Sequence, residues 1–531
     1  MSENESAGPP GLRQQVEAGR DVYAAVGNIV FQNSGHSPEA AALKERSASE
    51  GADLLIELSS DDETLGRARA ALTGVPTTVA APALRMLLGR DENLAIALLA
   101  RIPEARAETL VSAMGPHGAG LSELLTAIEA VNQCESTAGG VIGKRTERFM
   151  RASSGRGTQG FLQRYANGAI HWRPGYGALA TTGAIAQYHR DAGGTGGLLG
   201  FPVAAAVQGA HPGTGTECSW QLFEGQSDYS PEVCSYLKAR CGATVISSRK
   251  HGTYATWGGI GEYSELGWRD RAVAGLPIGD VLAFGPARRE NGIGTHGWGQ
   301  RFEGGTVYHS DKAGTIRVPG RWAAYLESRG GVAGPTGFPV SEERDAKSPQ
   351  RTTGSFQRFE GFWDYPEDIV GRWSDSERPW GATIYHSRKH GAHIVERGNG
   401  VLYERLNGTA SWLGFPTSDE IPANRSAGSP EDTVQWFEGG AIFYSPEYDS
   451  VPVAREILDH LDEHPSLDDQ LGFPIREAEQ LAAKNSDYIQ FFEHGVITVR
   501  DNLVQAWLDP NRHVEVIIEQ ILIHRAKPPN A

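Results

Sequence analysis

One four-residue word constrains this chain more than anything else in it. Leu-Gly-Phe-Pro is spelled at Leu199–Pro202, Leu413–Pro416 and Leu471–Pro474, and as Thr-Gly-Phe-Pro at Thr336–Pro339. A second word accompanies it: Gln, any residue, an aromatic and usually Glu. It stands at Gln163–Tyr165, Gln221–Glu224, Gln300–Glu303, Gln357–Glu360, Gln435–Glu438 and Gln490–Glu493. Successive glutamines lie 58, 79, 57, 78 and 55 residues apart, the spacing of a repeat architecture. The two long intervals each hold about 21 extra residues, near 229–241 and 365–380, placed after a Q-x-F-E strand.

The stretch from Gly305 to Gly361 shows one unit. The turn Glu303-Gly304-Gly305 leads into a strand at Thr306-Val307-Tyr308-His309, and in the first copy that turn is Ala166-Asn167-Gly168, a strong hairpin signal. A second turn at Lys312-Ala313-Gly314 gives another short strand. A short helix follows with Trp322, Tyr325 and Leu326 on one face, stopped at Gly330-Gly331. Equivalent faces read Ile185 and Tyr188; Ile260, Tyr263 and Leu266; Leu402, Tyr403 and Leu406; and Ile457, Leu458 and Leu461. Glycine lets the chain leave a helix in a strained conformation, Phe can fill the small core, and Pro keeps its neighbour extended. A catalytic residue is needed once but a corner in every unit, so the word reads as a corner.

This reading gives five units, at about 168–225, 242–304, 305–361, 381–439 and 440–495, with a closing strand around Val496–Val499. The second unit departs, with Gly275-Leu276-Pro277-Ile278 at its corner. Ahead of the repeats the composition changes: all 12 tryptophans fall after residue 150. The expected organisation is a flexible or short β segment at 1–35, a helical domain at 36–143 and a linker at 144–157. The repeat domain spans 158–508 and a tail 509–531. Ser60-Asp61-Asp62-Glu63 reads as a capping box.

The formal charge of −16 disfavours nucleic acid as a partner. No stretch is apolar and long enough to span a membrane. The N-terminus lacks a secretory signal, which reads as cytoplasmic. Four cysteines form neither a disulfide framework nor a zinc pattern, although a Cys234–Cys241 bridge and free thiols both stay open.

Residues ~158–508 resemble a tandem array of the LGFP repeat family. The likeness is carried by L-G-F-P-T-S-D-E (413–420), G-G-V-A-G-P-T-G-F-P-V-S-E-E (330–343) and F-E-G-G followed by an I/V-x-Y strand (302–308 and 437–444). The resemblance implies a mainly β fold: a closed ring of five small units like a five-bladed propeller, here preceded by an all-α N-terminal domain. It also implies attachment to cell-wall polysaccharide in exported actinobacterial proteins, which makes export the alternative to a cytoplasmic location. The stretch Gly19-Arg20-Asp21-Val22-Tyr23 is similar to a linker of actinobacterial defence proteins.

Sugar recognition needs flat apolar faces with polar groups at their edge. Trp220, Trp298, Trp363 and Trp436, around the Q-x-F strands, are the candidates; the plain alternative is packing between units. Two S-R-K-H-G turns put Arg249, His251, Arg388 and His390 at hairpin tips, where they could grip an anion or could simply be polar. Glu224, Glu303, Glu360, Glu438 and Glu493 resemble glycosidase carboxylates, but five copies are better explained by side chains accepting from turn amides. P-loop, H-E-x-x-H and EF-hand patterns are absent, and G-x-G-x-x-G at Gly292–Gly297 leads into a strand, so no cofactor or metal is expected. The expected function is non-enzymatic recognition of a glycan or cell-wall polysaccharide, with the helical region docking a protein partner. Two other readings stay open: a cytoplasmic sensor or scaffold of a defence or signalling system, and an enzyme with its site in the insertions or the helical domain.

Overall fold

The structure is a computed structural model that describes residues 37–508 apart from 60–61, 116–117, 119–120, 271–273, 290–293, 371–379, 424–428, 482–486 and 502. The expected segment at 1–35, the G-R-D-V-Y stretch, the tail at 509–531 and most of the Ser60–Glu63 box lie outside the described residues. The chain divides into two compact units, one holding 37–210 and 216–261, the other 211–215 and 262–508.

Among the described residues the first unit opens with seven helices: α1 (Pro38–Lys44), α2 (Ala48–Glu57), α3 (Asp62–Gly74), α4 (Thr77–Arg90), α5 (Glu92–Leu99), α6 (Glu104–Ala113) and α7 (Ser122–Ala138). Polar caps start several of them. Ser47 and Glu50 form a reciprocal capping box at α2, and Asp91 accepts from the Leu94 amide at 2.9 Å at α5. Their apolar faces do not make a separate core. Leu124, Ile128 and Val131 of α7 belong to one cluster with Phe161, Ile170 and Trp172, and α7 lies on the strands β3 (Gly168–Arg173) and β4 (Gly177–Thr182) of the first sheet.

The β part consists of six four-stranded antiparallel sheets, each a meander in sequence order. They are β1–β4 (Met150–Thr182), β5–β8 (Val207–Trp257), β9–β12 (Leu282–Pro319), β13–β16 (Arg344–Glu396), β17–β20 (Ile421–Ala454) and β21–β24 (Pro474–Leu508). The mainly β architecture with an α N-terminus is therefore correct. Five recognisable corners join these six sheets. What looked like a closing strand, Gly495–Arg500, is β23, paired with β22 and β24. The expected linker at 144–157 is corrected as well: Met150–Ser153 is β1, paired with Gln159–Leu162.

Ahead of that strand stands a corner the eye misses. In Ile142-Gly143-Lys144-Arg145, Gly143 has φ +80° and Arg145 bridges to Tyr165, as the corner prolines Pro202, Pro277, Pro339 and Pro416 bridge to Phe223, Phe302, Phe359 and Phe437. It has lost the Phe and the Pro, and Ala166 stands where later copies have Glu.

The two repeated words are partners. Corner glycines Gly200, Gly275, Gly337, Gly414 and Gly472 have φ between +68° and +75°, a region only glycine enters at little cost. Phe201, Phe338 and Phe415 are buried, and their rings lie against Gly160, Gly297 and Gly354 in the preceding sheet, where a side chain would collide with them. The glutamine then ties that sheet to the next. Gln221 Nε2 donates to Ala180 O on β4 (3.0 Å) and to Ala204 O just past the corner (3.0 Å). Gln357 Nε2 repeats this with Arg317 O and Ser341 O, and Gln435 Nε2 with Ile394 O and Ser418 O.

The two insertions lie between the second and third strands of their sheets. Tyr229 and Tyr365 from them are buried and donate to Thr256 O and Val395 O. Gly400 sits where any side chain would run into the Tyr365 hydroxyl.

Candidate functional site

The repeated glutamates are consumed by the corners. Glu224, Glu303, Glu360, Glu438 and Glu493 accept from the amides of Phe201, Leu276, Phe338, Phe415 and Phe473 at 2.8–3.4 Å. Glu438 is the most heavily used. It also accepts from Thr352 Oγ1, from Ser348 Oγ at 2.7 Å and from Lys389 Nζ at 3.3 Å, and it meets His390 Nε2 at 3.0 Å. Burial by itself would raise its pKa; the hydrogen bonds from Thr352, the Phe415 amide, Ser348 and His390 outweigh that and hold it at about 2.

Of the candidate residues named from sequence, Trp220, Arg249 and His251 belong to the first unit and Trp298, Trp363, Trp436, Arg388 and His390 to the second. Trp220, Trp298 and Trp436 are half-buried on β6, β10 and β18, in three different sheets. Trp298 lies beside His309 with ring centroids 6.1 Å apart, and Arg455 lies 5.6 Å over Trp436. Arg249 and Arg388 are exposed at their hairpin tips, and His251 is half-buried at the tip it shares with Arg249. His390, with Lys389, reaches from the tip of β15–β16 to Glu438 and so latches one sheet to the following corner instead of waiting for an anion. Tyr448 makes the same reach to Glu493 from the next tip, at 3.3 Å.

Trp363 is different. It stands at the foot of the second insertion and lines a cleft of about 50 Å³ with Arg397, Gly398, Asn399, Glu420 and Tyr444. These come from four segments, all in the second unit: the insertion, the start of the helix Arg397–Arg405 (here α8), the loop after a corner, and β19. The Arg397 guanidinium lies 5.8 Å from the Trp363 ring centroid. Asn399 is buried; its Oδ1 accepts from Ser450 Oγ at 2.8 Å, while its Nδ2 has no protein partner. Glu420 Oε1 accepts from Thr433 Oγ1 at 2.5 Å. At Gly398 a Cβ would come within 2.8 Å of Ser450 Oγ and 3.0 Å of Asp449 Oδ1, so the floor of the cleft admits no side chain.

Behind the cleft runs a polar network. Asp419 Oδ1 accepts from Tyr325 at 2.8 Å and meets His393 Nδ1 at 3.2 Å, and Arg329 pairs with Glu396 at 2.6 Å. Burial pushes the Glu396 carboxyl up. Asp419 is held below its ordinary value: burial opposes this, but bonds from His393, Tyr325 and the Ile394 amide prevail.

Of the residues lining the cleft, the sequence pointed to Trp363 and not to Arg397, Asn399, Glu420 or Tyr444, which share no motif. One signal was available: at the step from fourth strand to helix, three units have Gly183, Gly258 and Gly320 where this one has Arg397. Among the described residues, no group of three His, Cys, Asp or Glu is placed to hold a metal ion, no helix is long and apolar enough to cross a membrane, and none of the four cysteines is in a disulfide.

The LGFP repeat family matches residues 413–464, a span containing the corner Leu413–Pro416 and Glu438. No curated protein matches the chain. Among solved structures, the extracellular domain of a one-component system, BT4673, from B. thetaiotaomicron is similar at 10% identity with a TM-score of 0.12. That alignment covers 68% of this chain and 49% of the other, so the chain spans about half of that relative. A virginiamycin B lyase from Staphylococcus aureus, in complex with quinupristin, is similar at 8% identity with a TM-score of 0.10, over 68% of this chain and 84% of the other. Likeness at this level carries no argument about this protein.

Proposed function

We propose that this chain is a non-enzymatic recognition protein whose repeat body binds a glycan through the Trp363 cleft. The observation that carries the reading is a half-buried indole bordered by an arginine, a buried amide with an unused donor and a carboxylate. Sugars are bound by such a pairing of an apolar face with convergent polar groups. The family match at residues 413–464 supports the same direction. Catalysis is disfavoured by how the acids are used. The repeated glutamates each serve a corner amide, and His393, beside Asp419, has both ring nitrogens engaged, the second with His390 O at 2.8 Å.

The test is binding of the full chain to an immobilised panel of polysaccharides. Trp363→Ala is expected to reduce retention at least tenfold with no change in the melting temperature beyond a few degrees. A wild-type protein that binds no glycan refutes the reading.

A further inference from the structure

We infer that the cleft is a subsite for a single uncharged sugar residue, in which a ring hydroxyl accepts from Asn399 Nδ2 and donates to Glu420 while the C–H face of the ring meets Trp363. This rests on the glycan reading above and adds which sugar chemistry is selected and which residues select it.

Three independent observations lead there. The first is the Asn399 amide. Buried donors in proteins are almost always paired, and its Nδ2 is not, although the same side chain is anchored through Oδ1 by Ser450. A buried donor without a partner among the described residues, in a side chain that lines the cleft, suits an acceptor brought by a ligand. Glu420 lines the same cleft and can only accept. A sugar hydroxyl, which accepts and donates at once, satisfies both.

The second is the backbone of Arg397. Its φ is +59°, in the left-handed region that disfavours residues with a Cβ. At the equivalent step Gly183 and Gly258 adopt φ +59° and +57°, whereas Gly320 and Arg455 stay outside the left-handed region, so Arg397 carries a Cβ where the left-handed copies carry glycine. An arginine held in a glycine conformation, over a tryptophan and at the lip of a cleft, is strain of the kind kept for binding.

The third is charge and size. Among the lining residues Arg397 is the cation and Glu420 the anion, and Glu396 beside them is paired with Arg329. The lining offers no uncompensated charge to an ionic sugar, so the recognised group is neutral. The volume of about 50 Å³ holds an edge of one ring, not a stretch of chain.

The experiment uses the full chain against four neutral polysaccharides (mannan, galactan, dextran and xylan) and against polygalacturonate, with titration calorimetry on whichever is retained. Arg397→Gly and Glu420→Gln are each expected to weaken binding at least tenfold. Arg397→Gly should melt at the same or a higher temperature, because glycine fits the conformation, so lost binding cannot be lost folding. Neutral polymers should bind tighter than polygalacturonate. If a glycan binds and both variants bind it as wild type does, the cleft assignment is wrong while the glycan reading stands. If polygalacturonate binds most tightly, the assignment of a neutral sugar is wrong. If wild type binds none of the five, both readings fall.

Discussion

Replacing Glu438 by glutamine tests the central idea of the fold, that each corner is held by a buried carboxylate. The side chain is 2% exposed and receives five donors from three places: the corner, the β13–β14 turn and the β15–β16 tip. Its pKa falls from an ordinary 4.5 to about 2. At about 1.4 kcal/mol per unit, that difference sets a ceiling on the order of 3 kcal/mol of stability at neutral pH. Lys389 is well exposed, so part of the charge stabilisation is screened and ~2 kcal/mol is the working figure. The sign follows from a depressed folded-state value: the contribution is fully present above pH 4.5 and is lost as pH falls towards about 2. Urea denaturation of wild type and Glu438→Gln at pH 7 and at pH 3 reads the gap, and hydrogen exchange at the Phe415 amide reads it locally. The expected result is a gap of ~2 kcal/mol at pH 7 that shrinks by half or more at pH 3, with faster exchange at Phe415 in the variant. A gap below ~0.5 kcal/mol at pH 7, or one that does not shrink on acidification, refutes the carboxylate as the corner's anchor.

Other predictions follow from single residues. Gly414→Ala places a Cβ at φ +69°, 2.4 Å from Gln350 Oε1 and 2.6 Å from Glu438 Oε2, and should cost ~2–4 kcal/mol, measured as a fall in urea midpoint. His171 and His189 are buried edge-to-face, 5.1 Å apart, with His189 Nε2 at 2.9 Å from Gly200 O. Burial first, then Arg164 and for His171 also its partner, depress both pKa values. Their neutral forms stabilise the fold above about pH 6.5, and that stability is lost as pH falls below it. Melting temperature should therefore drop between pH 7.5 and pH 5, and His171→Phe should flatten the drop; an equal drop in the variant refutes the assignment. Gln357→Ala strips the donor from two buried carbonyls between neighbouring sheets and should cost ~2–4 kcal/mol by urea denaturation.

What the sequence alone settled was what repeats and why. A glycine ahead of Phe-Pro, or of Leu-Pro in the second copy, announces a positive φ, and a glutamate 21–28 residues after it, at the end of every Q-x-F word but the first, announces an acceptor for the corner's amide. Both follow from local chemistry that a few residues carry. The tertiary structure decided what local patterns cannot. The number of sheets depended on first strands that are short and exposed, such as Val207–Ala210 and Ile421–Pro422, which show no apolar alternation to read. The fate of His390 depended on which glutamate lay across the next corner. Above all, the cleft exists because Trp363, Arg397, Asn399, Glu420 and Tyr444, up to 81 positions apart in the chain, are folded to one spot. A motif records neighbours along a strand or helix; neighbours made by packing leave no mark in sequence order.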